Sequence, residues 1–239
     1  MNPLVLSLLA SLSTLIGLIF VKKTNKNIIT FSFAFASGVM ISISIFDLIP
    51  ESFIKLSIYF KTFPTILLVL IFISLGVIIS MLIDKYINND NNIYRVGVIS
   101  MIAVIIHNIP EGIATFIAGT IDIELGFNLA ISIALHNIPE GIIISLPIYY
   151  STRSLNRAFI YTFIAGISEF LGAIIACIFL KNYIKDFFIG ILFSIIAGIM
   201  IQVSFYELIP NFINEKSRRA VVGYFIVGFV LMLISIIII

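Results

Sequence analysis

The sequence predicts an all-α, polytopic membrane protein with eight transmembrane helices, and three observations support this fold class. Of the 239 residues, 61% are hydrophobic and only 11% are charged, whereas soluble domains average about 25% charged residues. The apolar residues form runs close to the length of about 20 that a membrane-spanning helix needs. Short polar segments separate these runs, and none of them is large enough to supply the surface of a soluble domain.

The polar breaks divide the chain into eight predicted spans within a single integral membrane domain, residues 1–239. The spans cover roughly residues 3–21, 30–50, 62–83, 96–119, 124–149, 157–180, 186–210 and 221–239. Each is long enough to cross the hydrocarbon core of a bilayer as a helix. The net charge of +2 is too small to suggest nucleic acid as a partner. The single Cys177 excludes disulfides within one chain and CxxC metal sites.

The loop cations predict the orientation of the spans, because cytoplasmic loops carry an excess of Lys and Arg. With the N-terminus outside, ten cations fall in inner loops and four in outer loops. The inner set is Lys22, Lys23, Lys26, Lys85, Arg95, Arg153, Arg157, Lys216, Arg218 and Arg219, and the outer set is Lys55, Lys61, Lys181 and Lys185. Both termini are therefore predicted outside the cell, and the Asn-rich linker at 87–92 is predicted in the cytoplasm.

Two segments of the chain resemble each other at an offset of 160 residues. SGVMISISIFDLIP at 37–50 matches AGIMIQVSFYELIP at 197–210 at seven of fourteen positions, with Asp47 in register with Glu207. The two spans run in opposite directions, so spans one to three and six to eight are predicted to form an inverted repeat, roughly 1–85 and 155–239. Many secondary transporters use this arrangement for alternating access.

A second repeat lies between these halves, in the helix pair at roughly 95–150. HNIPEG occurs at 107–112 in span four and again at 136–141 in span five. The spans are adjacent and antiparallel, and each motif lies near the middle of its span. The two motifs are therefore expected to meet near the midplane of the bilayer.

The motif residues have the chemistry of a transition-metal site. His107 and Glu111 are one helical turn apart, and so are His136 and Glu140. Two imidazoles and two carboxylates suit Zn²⁺, and this donor set also suits Fe²⁺, Mn²⁺ or Co²⁺. Gly112 and Gly141 permit close helix approach.

A second ion position would make the centre binuclear. Asn108 and Asn137 project about 100° around the helix from the neighbouring histidines. Glu169 of span six is a further candidate ligand in GISEFLG. A second ion could lie beside these groups, bridged by Glu111 and Glu140.

A purely structural alternative exists, in which each His simply hydrogen-bonds a Glu or a carbonyl of another helix. The number of buried carboxylates disfavours it. An ionised carboxylate at a helix centre costs roughly 2.5–3.5 kcal/mol, and Glu111, Glu140 and Glu169 all lie deep in their spans. Two neutral histidines do not offset three such charges, whereas a divalent cation or protonation does.

Other polar residues of the spans form a candidate pathway. Asp47 and Glu51 are expected at the outer end of span two and Glu207 at the inner end of span seven, where they could collect and release ions or merely cap helix ends. Ser168 lies beside Glu169 in span six. Gln202 of span seven is more typical of an interhelical hydrogen bond than of a ligand.

The chain resembles the ZIP (Zrt/Irt-like protein) metal transporters, and within them the bacterial ZupT-type branch. The resemblance rests on HNIPEG in spans four and five, on the SE-x-LG pattern at 168–172 and on the eight-span layout. It implies a bundle in which the inverted repeat encloses spans four and five, with uptake of divalent metal toward the cytoplasm. The implied ligands are His107, Asn108, Glu111, His136, Asn137, Glu140 and Glu169.

Two rival functions remain at this stage. One is a membrane-embedded zinc-dependent hydrolase, in which the metal would activate water, but HExxH is absent and no Ser or Cys stands beside a base. The other is a helical bundle that a metal merely stabilises. The expected partners are divalent metal ions and the lipid bilayer of the cell membrane, with a homodimer as a further expectation and no prosthetic group.

Overall fold

A computed structural model describes residues 2–23, 25–86, 92–180, 186–211 and 218–238. Within these ranges the chain forms helices and no β-strand. Eight helical segments are long and apolar enough to cross a membrane: Pro3–Lys22, Lys26–Ser57, Thr62–Lys85, Ile93–Ile121, Ile123–Thr152, Leu155–Phe179, Asp186–Leu208 and Arg219–Ile237, here named spans one to eight. The predicted all-α fold with eight spans is confirmed, and the boundaries agree within one helical turn except in span two.

Span two extends further than the sequence predicted. Its α-helices Lys26–Ile43 and Ile49–Ser57 are joined by a π-helical turn at Ser44–Leu48. Pro50 lies in the first turn after this segment, where a missing amide hydrogen is tolerated. Ser52 then donates a hydrogen bond of 2.6 Å to a backbone carbonyl of span seven. The predicted helix end near residue 50 is therefore wrong, because the segment after the proline makes buried contacts of its own.

Four spans change their helix type along their length. Span one passes from α-helix to 3₁₀-helix, and spans two, six and seven contain a π-helical turn. These segments are Thr14–Lys23, Ser44–Leu48, Ala176–Leu180 and Val203–Leu208. The remaining α-helices are Pro3–Ser13, Thr62–Tyr86, Asn92–Ile121, Ile123–Thr152, Leu155–Ile175, Asp186–Gln202 and Arg218–Ile238. π-helical turns often occur at functional sites. The turns that contain Asp47 and Glu207 therefore support these two carboxylates as candidate functional residues.

The packing of the spans places the two HNIPEG motifs in the interior. Spans one, four, five and six pack on one another, and span two packs against spans seven and eight, with span three against span seven. Spans four and five also contact spans seven and two, respectively. The outer faces of spans three and eight expose apolar side chains such as Phe63, Leu70, Ile226 and Val227. Such faces suit lipid as the solvent.

The pairs of packed spans are those that the predicted inverted repeat would interchange. Span two packs on span eight as span seven packs on span three, and span one packs on span five as span six packs on span four. The symmetry and the division into repeats stay predictions. Residues 87–91 of the Asn-rich linker, with Lys181, Lys185 and Lys216, lie outside the described residues. The sidedness of the chain also stays a prediction.

Candidate metal centre

The motif residues of spans four and five all lie in the interior of the bundle. Both α-helices continue without a break through Pro110 and Pro139. The buried side chains, each 3% exposed or less, are His107, Asn108, Glu111, His136, Asn137, Glu140 and Glu169. Every residue of the predicted ligand set is thus removed from solvent.

Each histidine pairs with the glutamate of the other motif. His107 Nε2 and Glu140 Oε1 are 2.8 Å apart, and His136 Nε2 and Glu111 Oε2 are 3.3 Å apart. The spans are antiparallel, so the His of one motif lies level with the Glu of the other. The sequence predicted that both residue types share a helix face, but not this crossed pairing. The hydrogen bonds themselves are those that the structural alternative predicted.

The paired side chains do not by themselves form a closed metal site. In the described part of the chain, no group of three or more His, Cys, Asp or Glu side chains is arranged to hold a metal ion. The centre therefore consists of two His–Glu pairs, with Asn108, Asn137 and Glu169 beside them.

Several electron-pair donors of this centre make no hydrogen bond within the described residues. They are Nδ1 of His107 and His136, Oδ1 of Asn108 and Asn137, Oε2 of Glu140 and Oε1 of Glu169. A buried polar group without a partner costs about 1–3 kcal/mol, and such groups are few in folded proteins. Imidazole nitrogen and carboxylate or carboxamide oxygen are also ligands of divalent transition metals. The concentration of these atoms at one place indicates a site for a cation.

The two asparagines are held by backbone carbonyls of other spans. Asn108 Nδ2 donates to the Ala165 carbonyl oxygen of span six at 3.2 Å, and Asn137 Nδ2 donates to the Ala10 carbonyl oxygen of span one at 3.1 Å. Asn137 Nδ2 also donates to Glu169 Oε2 at 2.8 Å. Because the amide nitrogens are used in this way, the amide oxygens are left to accept or to coordinate.

Two glycines allow the backbones of the spans to touch. A Cβ added at Gly112 would overlap the Glu169 carbonyl oxygen, and one added at Gly141 would overlap the Thr14 carbonyl oxygen. The predicted close approach at these glycines is confirmed. It fixes span six against span four and span one against span five at the level of the centre.

The carboxylates of span two lie on one side of the centre. Asp47 is half-buried in the π-helical turn and close enough to His136 and Glu111 to interact with both electrostatically. Glu51 is also half-buried and interacts electrostatically with Asp47. Because span two continues to Ser57, neither carboxylate is at the helix end, which corrects the sequence prediction.

Glu207 of span seven is 3.7 Å from the guanidinium of Arg95. Arg95 also forms an ion pair with Asp84 of span three. Sequence reasoning used Arg95 only for orientation and did not consider Asp84. The signal was present, because these two residues of opposite charge are only 11 positions apart in the sequence.

The remaining pathway candidates have hydrogen bonds inside the bundle. Ser168 Oγ donates to the Ala165 carbonyl oxygen at 2.6 Å. Gln202 Oε1 accepts from Ser80 Oγ of span three at 2.5 Å, the interhelical role that the sequence favoured for it. Neither side chain is brought to the His–Glu pairs by these contacts.

An eight-span bundle with imidazole, carboxylate and carboxamide groups at its centre is the architecture expected of a membrane transporter of cations. A family model described as "ZIP Zinc transporter" matches residues 87–236. The chain is 38% identical to "Zinc transporter ZupT" of Streptococcus mutans, over 97% of this chain and 95% of that protein. It is 35% identical to the protein of that name from Clostridium perfringens, over 96% and 93%, and 34% identical to that from Campylobacter jejuni, over 87% and 86%.

This chain belongs to the ZIP zinc transporter family. Membership identifies a multi-pass membrane protein that transports divalent metal ions. Members of the family are transporters and not enzymes, so the zinc-dependent hydrolase is not favoured.

Proposed function

We propose that this protein carries Zn²⁺ across the cell membrane toward the cytoplasm through the centre formed by spans four, five and six. One observation carries the proposal: the buried nitrogen and oxygen atoms of the centre that lack hydrogen-bond partners within the described residues. These atoms belong to the residue types that coordinate Zn²⁺. A passing Zn²⁺ ion would use them without displacing any hydrogen bond that holds the helices together.

The charge of the centre supports the same function. Glu111, Glu140 and Glu169 are almost completely buried, and each ionised carboxylate costs roughly 2.5–3.5 kcal/mol at the centre of a membrane helix. A divalent cation supplies two positive charges at this place. A cargo ion thus offsets a cost that the two histidines do not offset while they are neutral.

Two different donor environments support two ion positions. The crossed His–Glu pairs offer nitrogen and oxygen, whereas Asn108, Asn137 and Glu169 offer oxygen alone. Fe²⁺, Mn²⁺ and Co²⁺ accept both kinds of donor, and their affinities follow the Irving–Williams order. We therefore propose a binuclear centre that also accepts these three metals, with Glu111 and Glu140 between the two positions.

The acidic side chains on either side of the centre support a route for the ion. In the proposed route Asp47 and Glu51 come before the centre and Glu207 comes after it, which is the arrangement that an inverted repeat would give. With both termini outside the cell, the Asp47 side faces outward and the Glu207 side faces the cytoplasm. Carboxylate oxygens attract divalent cations, so the ion would pass from Asp47 through the centre to Glu207.

Zn²⁺ flux in proteoliposomes tests the transport function. We expect the purified protein to move Zn²⁺ down an imposed gradient without ATP, and Glu111→Ala to reduce the flux at least 10-fold, since losses outside the ligand shell already cost 10–100-fold. Glu124→Ala is the matched control, because Glu124 is exposed at the start of span five. Absence of flux in the wild type, or equal flux in the two variants, would contradict the proposal.

Metal stoichiometry tests the binuclear centre. His107→Ala should remove one bound ion and leave the oxygen-rich position, whereas Glu169→Ala should do the reverse. Equilibrium dialysis in detergent measures both. Wild-type stoichiometry in Glu169→Ala, together with no bound ion in His107→Ala, would leave a single-ion pathway through spans four and five.

The association state is a separate proposal. The exposed apolar faces of spans three and eight suit both the lipid bilayer and a second copy of the chain. We propose a homodimer, and native mass spectrometry from nanodiscs tests it. A single chain per nanodisc over a range of lipid compositions would contradict it.

A further inference from the structure

Two contacts, an asparagine hydrogen bond and a glycine contact one turn later, connect span four to span six. Asn108 Nδ2 donates to the Ala165 carbonyl oxygen at 3.2 Å. One turn further along span four, Gly112 packs on the Glu169 carbonyl oxygen. Glu169 follows Ala165 by one turn, and its Oε1 has no partner in the described part of the chain.

An equivalent pair of contacts connects span five to span one. Asn137 Nδ2 donates to the Ala10 carbonyl oxygen at 3.1 Å. One turn further, Gly141 packs on the Thr14 carbonyl oxygen. Thr14 follows Ala10 by one turn in span one, just as Glu169 follows Ala165 by one turn in span six. Thr14 therefore occupies in span one the position that Glu169 occupies in span six.

The Thr14 hydroxyl is one of several buried hydroxyls that lack a hydrogen-bond partner in the described part of the chain, and among them it alone lies one turn after a carbonyl that accepts from an HNIPEG asparagine. Thr14 is completely buried, and Oγ1 has no partner among the described residues. A Ser or Thr in a membrane helix usually donates to the carbonyl one turn earlier, as Thr162 does to Ala158 at 2.8 Å. The corresponding carbonyl for Thr14 is that of Ala10, which already accepts from Ser13 Oγ at 2.6 Å and from Asn137 Nδ2.

The hydroxyl lies between span one and span six. A Cβ added at Gly166 would be 3.1 Å from Thr14 Oγ1, and Gly166 is one turn before Glu169. Ala10 and Thr14 share a helix face, and Ala10 accepts from the asparagine that also bonds Glu169. The 3₁₀-helix of span one begins at Thr14. The hydroxyl thus lies at the contact of span one with span six, one turn from the carbonyl that binds Asn137.

We propose that Thr14 is a specificity-determining residue whose hydroxyl oxygen is a ligand of the transported divalent cation, opposite Glu169. The inference rests on the proposed function and adds a residue of span one to its centre. A hydroxyl is neutral where Glu169 is charged, so the two sides of the centre bind the ion with unequal strength. Because hydroxyl oxygen suits Mn²⁺ better than the softer Zn²⁺, Thr14 shifts the selectivity toward Mn²⁺.

Metal flux in proteoliposomes with three variants tests this assignment. Thr14→Val keeps the shape and removes the hydroxyl, Thr14→Ser keeps the hydroxyl, and Thr162→Val is the matched control in span six. Loss of one neutral oxygen contact should raise the apparent KM for Mn²⁺ about 3- to 10-fold and that for Zn²⁺ less. Thr14→Ser should restore the wild-type KM.

Two outcomes would overturn the assignment. One is a KM in Thr14→Val equal to that in Thr162→Val, and the other is a KM in Thr14→Ser as high as in Thr14→Val. Should the valine variant not fold, Thr14→Ala against Thr14→Ser asks the same question with smaller side chains, and equal KM values would refute the role. If wild-type protein moves Zn²⁺ and the Glu111→Ala variant does not, KM values that refute the role of Thr14 would leave the proposed function intact.

Discussion

Replacing Gly112 with alanine should separate span six from span four at the centre. Besides overlapping the Glu169 carbonyl oxygen, the added Cβ would lie 2.7 Å from the Glu169 carbonyl carbon, where ordinary contact begins at 3.4 Å. Backbone atoms cannot rotate away, so the spans must part by more than half an ångström. Overpacking of this kind costs about 1–3 kcal/mol, which corresponds to a fall in Tm of about 2–12 °C for a chain of this length.

The same displacement should weaken metal binding, because Glu169 is held by a 2.8 Å hydrogen bond from Asn137. A disturbed supporting contact of this type typically costs 10–100-fold in metal affinity. Gly223→Ala is the matched control, since a Cβ at Gly223 meets no atom within 4 Å among the described residues. Alanine there should be neutral or stabilise span eight by up to about 1 kcal/mol. Equal Tm and equal Zn²⁺ affinity of the two variants in detergent would refute the packing argument.

Three further predictions concern the ionisable groups. Double-mutant cycles on Zn²⁺ affinity should give a larger coupling energy for His107 with Glu140 than for His107 with Glu111, and equal couplings would contradict the crossed pairing. Equilibrium Zn²⁺ affinity should fall as the pH drops from about 7 to about 5, because protons compete with the metal for imidazole and carboxylate; an unchanged affinity would argue against these ligands. Arg95→Gln should lower the Tm by removing the positive charge that lies between Glu207 and Asp84, and Glu207→Gln in the same chain should recover part of the loss; no recovery would contradict the ion pair.

The spans were predictable from the sequence because lipid imposes one simple requirement, an apolar helix of sufficient length. The end of span two at Ser57 was not predictable, since a proline such as Pro50 commonly marks the end of a helix. Local sequence does not reveal that the residues after it are held by a hydrogen bond from Ser52 to a distant span. Tertiary contacts override a local signal in this case.

The types of residue in the candidate metal centre were predictable, but their pairing was not. Repetition of HNIPEG identified the histidines and glutamates, while the crossed pairs depend on how the two antiparallel spans are placed against each other. Thr14 could not be found from the sequence, because a single threonine in an apolar run has no pattern. Its significance appears only in the structure, where Ser13 and Asn137 both donate to the Ala10 carbonyl that the Thr14 hydroxyl would otherwise use.

The most direct test of a Zn²⁺ site in the centre is the position of the metal in crystals of the protein grown with Zn²⁺. Anomalous scattering measured at the zinc absorption edge locates the ion without reference to function. We expect a peak between spans four and five, about 2.0–2.2 Å from a carboxylate oxygen of Glu111 or Glu140. Zinc peaks found only at the periphery of the bundle, in protein that transports Zn²⁺, would contradict this expectation.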